Sequence, residues 1–149
     1  MEFAKIDDKG RLRCRWDARR GARPRLPGTT MAVGRGLPHD LAQYVIEAAA
    51  GYRFGFWDLV ARGATFASTG RRRTKPGRAL IAAHRGELAG AERLAGLHLA
   101  LWQAGHDAEV TAALRRAEAQ WHDLGDGERL VFEWPDARGR VESAEFSRS

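Results

Sequence analysis

The chain has 149 residues, 44% hydrophobic and 30% charged, with one cysteine. That length suits one domain burying roughly 68–70% of its unfolded surface. The apolar share excludes wholesale disorder, and the lone Cys14 excludes an internal disulfide.

The formal net charge is +6, unevenly spread: residues 1–80 hold 17 Lys and Arg against 7 Asp and Glu, residues 81–149 hold 8 against 12. Such asymmetry points to an anionic partner for the first part, or to two copies associating basic part to acidic part. The basic residues are 22 Arg and 3 Lys in a chain crowded with Ala and Gly, a bias that a GC-rich genome also produces. The opening MEFAKIDDKG lacks the basic start and apolar run of a signal peptide. LAGLHLALW (94–102) is too short and interrupted to cross a membrane. The expected location is the cytoplasm, with no membrane partner.

In chain order, EFAKI (2–6) and RLRCRW (11–16) flank DDKG, the signature of a hairpin. Strand alternation sends Arg11, Arg13 and Arg15 to one face and Leu12, Cys14 and Trp16 to the other. The arginine face has two readings. One is a wet sheet face salt-bridged to Glu2, Asp17, Glu133 or Glu142; the other is an anion-binding face. Cys14, on the apolar side, reads as structural. ARRGARPRLP (18–27), which carries Arg19 and Arg20, is expected to be a basic loop broken by Gly21, Pro24 and Pro27. TTMAV (29–33) suits a third strand.

VGRGLPHD (33–40) leads from that strand into a helix start, where free backbone N–H groups attract anions and Arg35 and His39 can assist. It is no dinucleotide fingerprint, because the third glycine and the second parallel strand with its acid are missing. Pro38 also removes a donor and Asp40 already satisfies the dipole, so a plain loop-to-helix junction competes.

The helix is expected to run from Pro38 to about Ala50 and stop at Gly51. Leu41, Ala42, Val45, Ala48 and Ala49 form its apolar side. His39, Asp40, Gln43 and Glu47 form its polar arc, with His39, Gln43 and Glu47 in one row. FGFWDLVAR (54–62) fits a short helix ending at Gly63. The aromatics of YRFGFW (52–57) read as core rather than as stacking faces for bases. TFASTGRRRTKPGR (65–78), with five basic residues and no acid, reads as a flexible basic loop.

Two further helices follow. Leu94, Leu97, His98, Leu101 and Trp102 make a stripe at helical spacing, with His98 read as a buried neutral histidine. Asp107 caps the next helix, whose buried side is Val110, Ala113, Leu114, Ala117 and Trp121. RLVFEW (129–134) alternates Leu130, Phe132 and Trp134 on one face. PDARG is a turn, and RVESAEF (140–146) pairs back. The order of elements predicts one α+β domain over residues 1–149. An antiparallel sheet built from the N-terminal and C-terminal hairpins packs against about four helices.

LPHDL, the amphipathic helix after it and the GFW beyond, together residues 37–57, resemble a group of small bacterial proteins to which no activity is assigned. The resemblance implies kinship alone. That group often carries histidine where this chain has Gln43. His-x-x-x-His with a carboxylate one turn on resembles a metal site. Gln43 departs from that pattern, and glutamine is a poor ligand for transition metals. A solvated helix face, or a polar contact with the basic loop, is the plainer reading, and neither metal nor cofactor is expected.

Three function classes remain. The first is a non-enzymatic binding module for nucleic acid or another polyanion, using Arg11, Arg13, Arg15, Arg19, Arg20, Arg71, Arg72, Arg73, Lys75 and Arg78. It requires the two basic stretches to converge and leaves base readout aside, since no helix-turn-helix, zinc-finger or aromatic nucleic-acid motif is present. The second is a protein–protein interaction or self-associating domain. The third is a metal-dependent enzyme using His39 and Glu47, and it needs further ligands such as His84 or Glu87. No residue is assigned as catalytic. A secondary anion or polar site at Arg35, His39 and Glu47 completes the candidates.

Overall fold

A computed structural model describes the backbone of residues 1–8, 11–20, 23–27, 31–32, 37–66, 73–105, 109–125 and 127–143. It describes the side chains of 1–5, 14–18, 37–66, 73–105, 110–125 and 127–143. The elements are β1 (Glu2–Asp8), β2 (Arg11–Arg20), β3 (Arg23–Pro27), β4 (Met31–Ala32), α1 (His39–Ala50), α2 (Phe56–Arg62), α3 (Lys75–Ala83), α4 (Arg85–Gln103), α5 (Glu109–Asp123), β5 (Glu128–Val131) and β6 (Arg140–Ser143). The class is α+β, as the order of strands and helices predicts.

The strands form one antiparallel sheet in the order β3-β2-β1-β5-β6, with β4 also paired to β2. The two terminal hairpins meet where β1 pairs with β5. The ammonium group of Met1 donates to the Phe132 carbonyl at 2.7 Å, and the Phe132 N–H donates back to the Met1 carbonyl, extending that seam.

Strand alternation sets the buried face. Phe3 pairs with Trp16 on one side and with Leu130 on the other. All three are buried, as are Cys14 and Ala18. Arg15, one step out of phase, is exposed. The Phe3 ring then meets Tyr44 of α1, Trp57 of α2 and Phe132 edge-on, at centroid distances of 5.7, 5.5 and 5.8 Å. Helices α1 and α5 close the core with Leu41, Val45, Ile46, Leu114 and Trp121.

Four features depart from the sequence-based expectation. The loop expected over 18–27 is a hairpin: β2 runs on to Arg20, and Arg23–Pro27 pairs with it as the edge strand. Pro24 and Pro27 are tolerated there because an edge strand leaves one row of N–H groups without ladder partners. Next, the loop expected over 65–78 contains the start of a fifth helix. The Thr74 hydroxyl accepts from the Gly77 N–H at 3.1 Å and caps α3, and Pro76 sits in its first turn. Residues 67–72 lie outside the described residues.

The third departure concerns α4, which buries Ala91 and Ala95 rather than its leucines. Leu97 is 56% exposed and His98 only half-buried. The fourth is Glu47, expected on a solvated polar arc and fully buried instead.

Replacing Phe3 by Ala empties the point where the sheet meets α1 and α2. It should cost about 3–5 kcal/mol, read as a lowered urea midpoint. A loss below about 1 kcal/mol would show that the aromatic row is not the centre of the core.

Candidate anion-binding face and the carboxylates beneath it

The predicted cations divide between two places. Arg11, Arg13, Arg15, Arg19 and Arg20 lie in β2. Of these, only the Arg15 side chain is described; it is exposed, with Nη2 3.8 Å from Asp17 Oδ1. The side chains of Arg11, Arg13, Arg19 and Arg20 lie outside the described residues, as do Arg35, Arg71 and Arg72 altogether. Arg73, Lys75 and Arg78 stand exposed at the start of α3.

Helix α3 is tied to α2 at both ends. At its start, the Thr74 N–H donates to Thr65 Oγ1 at 3.1 Å, just beyond the end of α2. At its end, the His84 ring stacks on Phe54, just before the beginning of α2, with centroids 3.9 Å apart and planes 3° apart. Helices α2 and α3 are therefore linked through the residues that flank them, and cations outside the arginine run stand on this unit or at its ends. Arg53, Arg62 and Arg85 are exposed, as are Arg73, Lys75 and Arg78.

Between residues 53 and 85 the chain has eight Lys and Arg and a single acid, Asp58. The first turns of α1, α2 and α4 each carry an acid; that of α3 carries none. A count of acids along the chain finds this gap without any structure.

Asp58 offers this face little counter-charge, because it is buried and its oxygens are occupied. Oδ2 accepts from the Phe54 N–H at 2.7 Å and from Arg62 Nε at 3.0 Å; Oδ1 accepts from Trp134 Nε1 at 3.1 Å. Burial pushes its pKa up, but these three bonds outweigh burial and hold it below the ordinary carboxylate value. Phe54 has φ +60, unusual outside glycine, and the Asp58 bond to its N–H fixes that turn.

Glu47 is the second buried carboxyl. Oε1 accepts from the Trp57 N–H at 3.1 Å and Oε2 from Gln43 Nε2 at 2.9 Å. It thereby caps α2 from α1, since the N-cap residue, Gly55, has no side chain to do so. Gly55 is required by this contact: a Cβ there would lie 2.5 Å from Glu47 Oε1. Burial pushes the Glu47 pKa to about 7, against the Gln43 and Trp57 bonds, with Glu92 and Asp58 adding repulsion.

His39 does not join Glu47. It is exposed at the start of α1, with Nδ1 3.7 Å from Asp40 Oδ1. The neighbouring Asp40 carboxylate raises its pKa, burial opposes this, and the charge of Glu92 adds to the rise. It borders two clefts of about 510 and 200 Å³ along α1 and α4, with Leu99 common to both. Among the described residues no group of three or more His, Cys, Asp or Glu is placed to hold a metal. Cys14 is buried, and burial, then Asp40, pushes its pKa to about 12. Its thiol is therefore a structural apolar group rather than a nucleophile.

No protein-family model, curated protein or solved structure matches the chain. Among the described residues, no helix is long and apolar enough to cross a membrane.

Glu47 binds its proton more tightly in the folded protein than in the unfolded chain. Stability should therefore fall as pH rises from about 4.5 to about 7, by up to about 3 kcal/mol, and level off above. Glu47→Gln should abolish this decline and be more stable than the wild type at pH 8. Denaturant melts across pH check this, and parallel curves for the two proteins would refute it. Gly55→Ala should destabilise by about 1–3 kcal/mol in the same assay.

Proposed function

We propose that the chain is a non-enzymatic, cytoplasmic binding module that takes nucleic acid or another polyanion on the α2–α3 unit. One observation carries this reading: six exposed cations stand between residues 53 and 85, where the only acid, Asp58, is buried and already hydrogen-bonded, and Arg62 is the one of the six that pairs with it. A cation without a neighbouring carboxylate has nothing to release but a counterion when a phosphate arrives. The reading stands on these cations without the β2 arginines, of which only Arg15 has a described side chain, 3.8 Å from Asp17.

The triple charge reversal Arg73→Glu, Lys75→Glu, Arg78→Glu tests it. Wild type should be held on heparin and on duplex DNA with a steep salt dependence. The variant should lose retention, and its log–log salt slope on duplex DNA should flatten by up to about 3 units. A wild type that elutes at low salt, or a variant that binds like it, would end the reading.

Self-association is a second reading, favoured by Leu97, which stands 56% exposed with Leu94 and Leu101 half-buried on α4. These three have the spacing of a helix seam. A monomer at all concentrations in light scattering would remove it.

A further inference from the structure

The geometry points to single-stranded nucleic acid as the ligand of the α2–α3 unit, with one unstacked base received in the cleft beside Tyr52 and Trp134. The inference rests on the polyanion reading above and narrows it.

The cleft, of about 250 Å³, lies between the end of α1, the turn before α2 and the turn after β5. Tyr52, Trp134 and Pro135 line it with flat apolar surface, and Arg53 and Arg62 line it with positive charge. The Trp134 ring is held in place, as is the Tyr52 backbone beside it. Trp134 Nε1 is bonded to Asp58, its ring packs edge-on to Tyr44 at 5.4 Å, and the Tyr52 N–H donates to the Glu47 carbonyl at 2.9 Å. Arg62 is oriented twice, by Nε on Asp58 and by its guanidinium 4.6 Å over the Phe54 ring. Arg53 is exposed, and its guanidinium lies 5.7 Å from the same ring.

Two carboxylates also border the cleft, and neither opposes an incoming phosphate strongly. Asp58 is engaged by three donors, one of them Arg62. Glu47 is 1% exposed and turned to Gln43 and the Trp57 N–H.

An aromatic wall beside paired arginines is the arrangement that holds single strands: the rings stack a base and the guanidiniums take the phosphates on either side. A duplex keeps its bases stacked inside and presents phosphate alone, so it cannot use the wall. Heparin has charge and no aromatic face. The cleft therefore separates three polyanions that the exposed cations treat alike.

The test compares a fluorescein-labelled 15-mer of thymidylate, the 15-bp duplex containing it, and a heparin fragment, at one salt concentration. The proteins are wild type, Tyr52→Ala, Tyr52→Leu and Tyr52→Phe. Wild type should bind the single strand at least about fivefold more tightly than the duplex. Tyr52→Ala and Tyr52→Leu should weaken the single strand about 5- to 20-fold and leave heparin unchanged, while Tyr52→Phe should keep wild-type affinity. Tyr52→Leu keeps apolar volume at the site should Tyr52→Ala unfold. If heparin and duplex bind but the single strand has no advantage, or if all three weaken together in Tyr52→Leu, the cleft proposal falls and the polyanion reading stands. If wild type binds none of the three, both fall.

Discussion

The carboxyl of Glu47 against the first turn of α2 governs the placement of everything between residues 51 and 85. Helix α1 ends at Gly51, in the left-handed conformation that glycine adopts without strain. The chain then has to turn and start a new helix within five residues. Gly55 caps that helix with no side chain of its own, so the acceptor for the Trp57 N–H comes from across the interface. Asp58 closes the same turn from the other side by holding the Phe54 N–H. Once α2 is fixed, Thr65 and Phe54 fix the two ends of α3, and the cations of that segment acquire a rigid support.

These hydrogen bonds also shape the electrostatics. A carboxylate on a surface helix ordinarily offsets nearby arginines. Here Glu47 and Asp58, the two carboxyls packed against α2, are drawn inward to satisfy backbone N–H groups, while Glu87 stays exposed at the far end of α3, 3.6 Å from His84. The energetic reason is local, since a helix start buried without acceptors leaves its N–H groups unpaired. The consequence is long-range: Arg53, Arg73, Lys75, Arg78 and Arg85 are left exposed over a segment whose one acid, Asp58, is already engaged.

Much of the fold is legible in the sequence because period and punctuation agree. The alternation of Phe3, Cys14, Trp16, Leu130 and Phe132 places the sheet's buried face, and Gly51 and Gly63 mark helix ends. Tertiary context overrides the rest. The prolines of 23–27 look like loop breakers, yet an edge strand accommodates them. Thr74-Lys75-Pro76 is a helix start signal lost inside a run of arginines.

On α4 the fully buried positions are Ala91 and Ala95, where α1 approaches, while Leu99 and Trp102 are only partly buried against the core and Leu97 stands outside. Glu47 is the instructive miss. Its position in a helix row with His39 and Gln43 is visible in the sequence. That its carboxyl serves a helix ten residues on is not, because periodicity within one element carries no information about which neighbour will need an acceptor.

The same limit explains why the candidate site shifts along the chain. Runs of arginine attract attention in a sequence, whereas a basic surface is defined by the absence of acids across segments that fold together. Arg53, Arg62 and Arg85 are isolated in the chain and stand in no run. The contacts at Thr65–Thr74 and Phe54–His84 gather them onto one support with Arg73, Lys75 and Arg78. In β2 the opposite holds. Arg15 belongs to a run, and Asp17 on the same strand sits 3.8 Å away, weakening its call on an outside anion. A charge cluster in sequence thus matters less than which carboxylates the fold removes from its neighbourhood. Here the fold removes two by giving them helix-capping work.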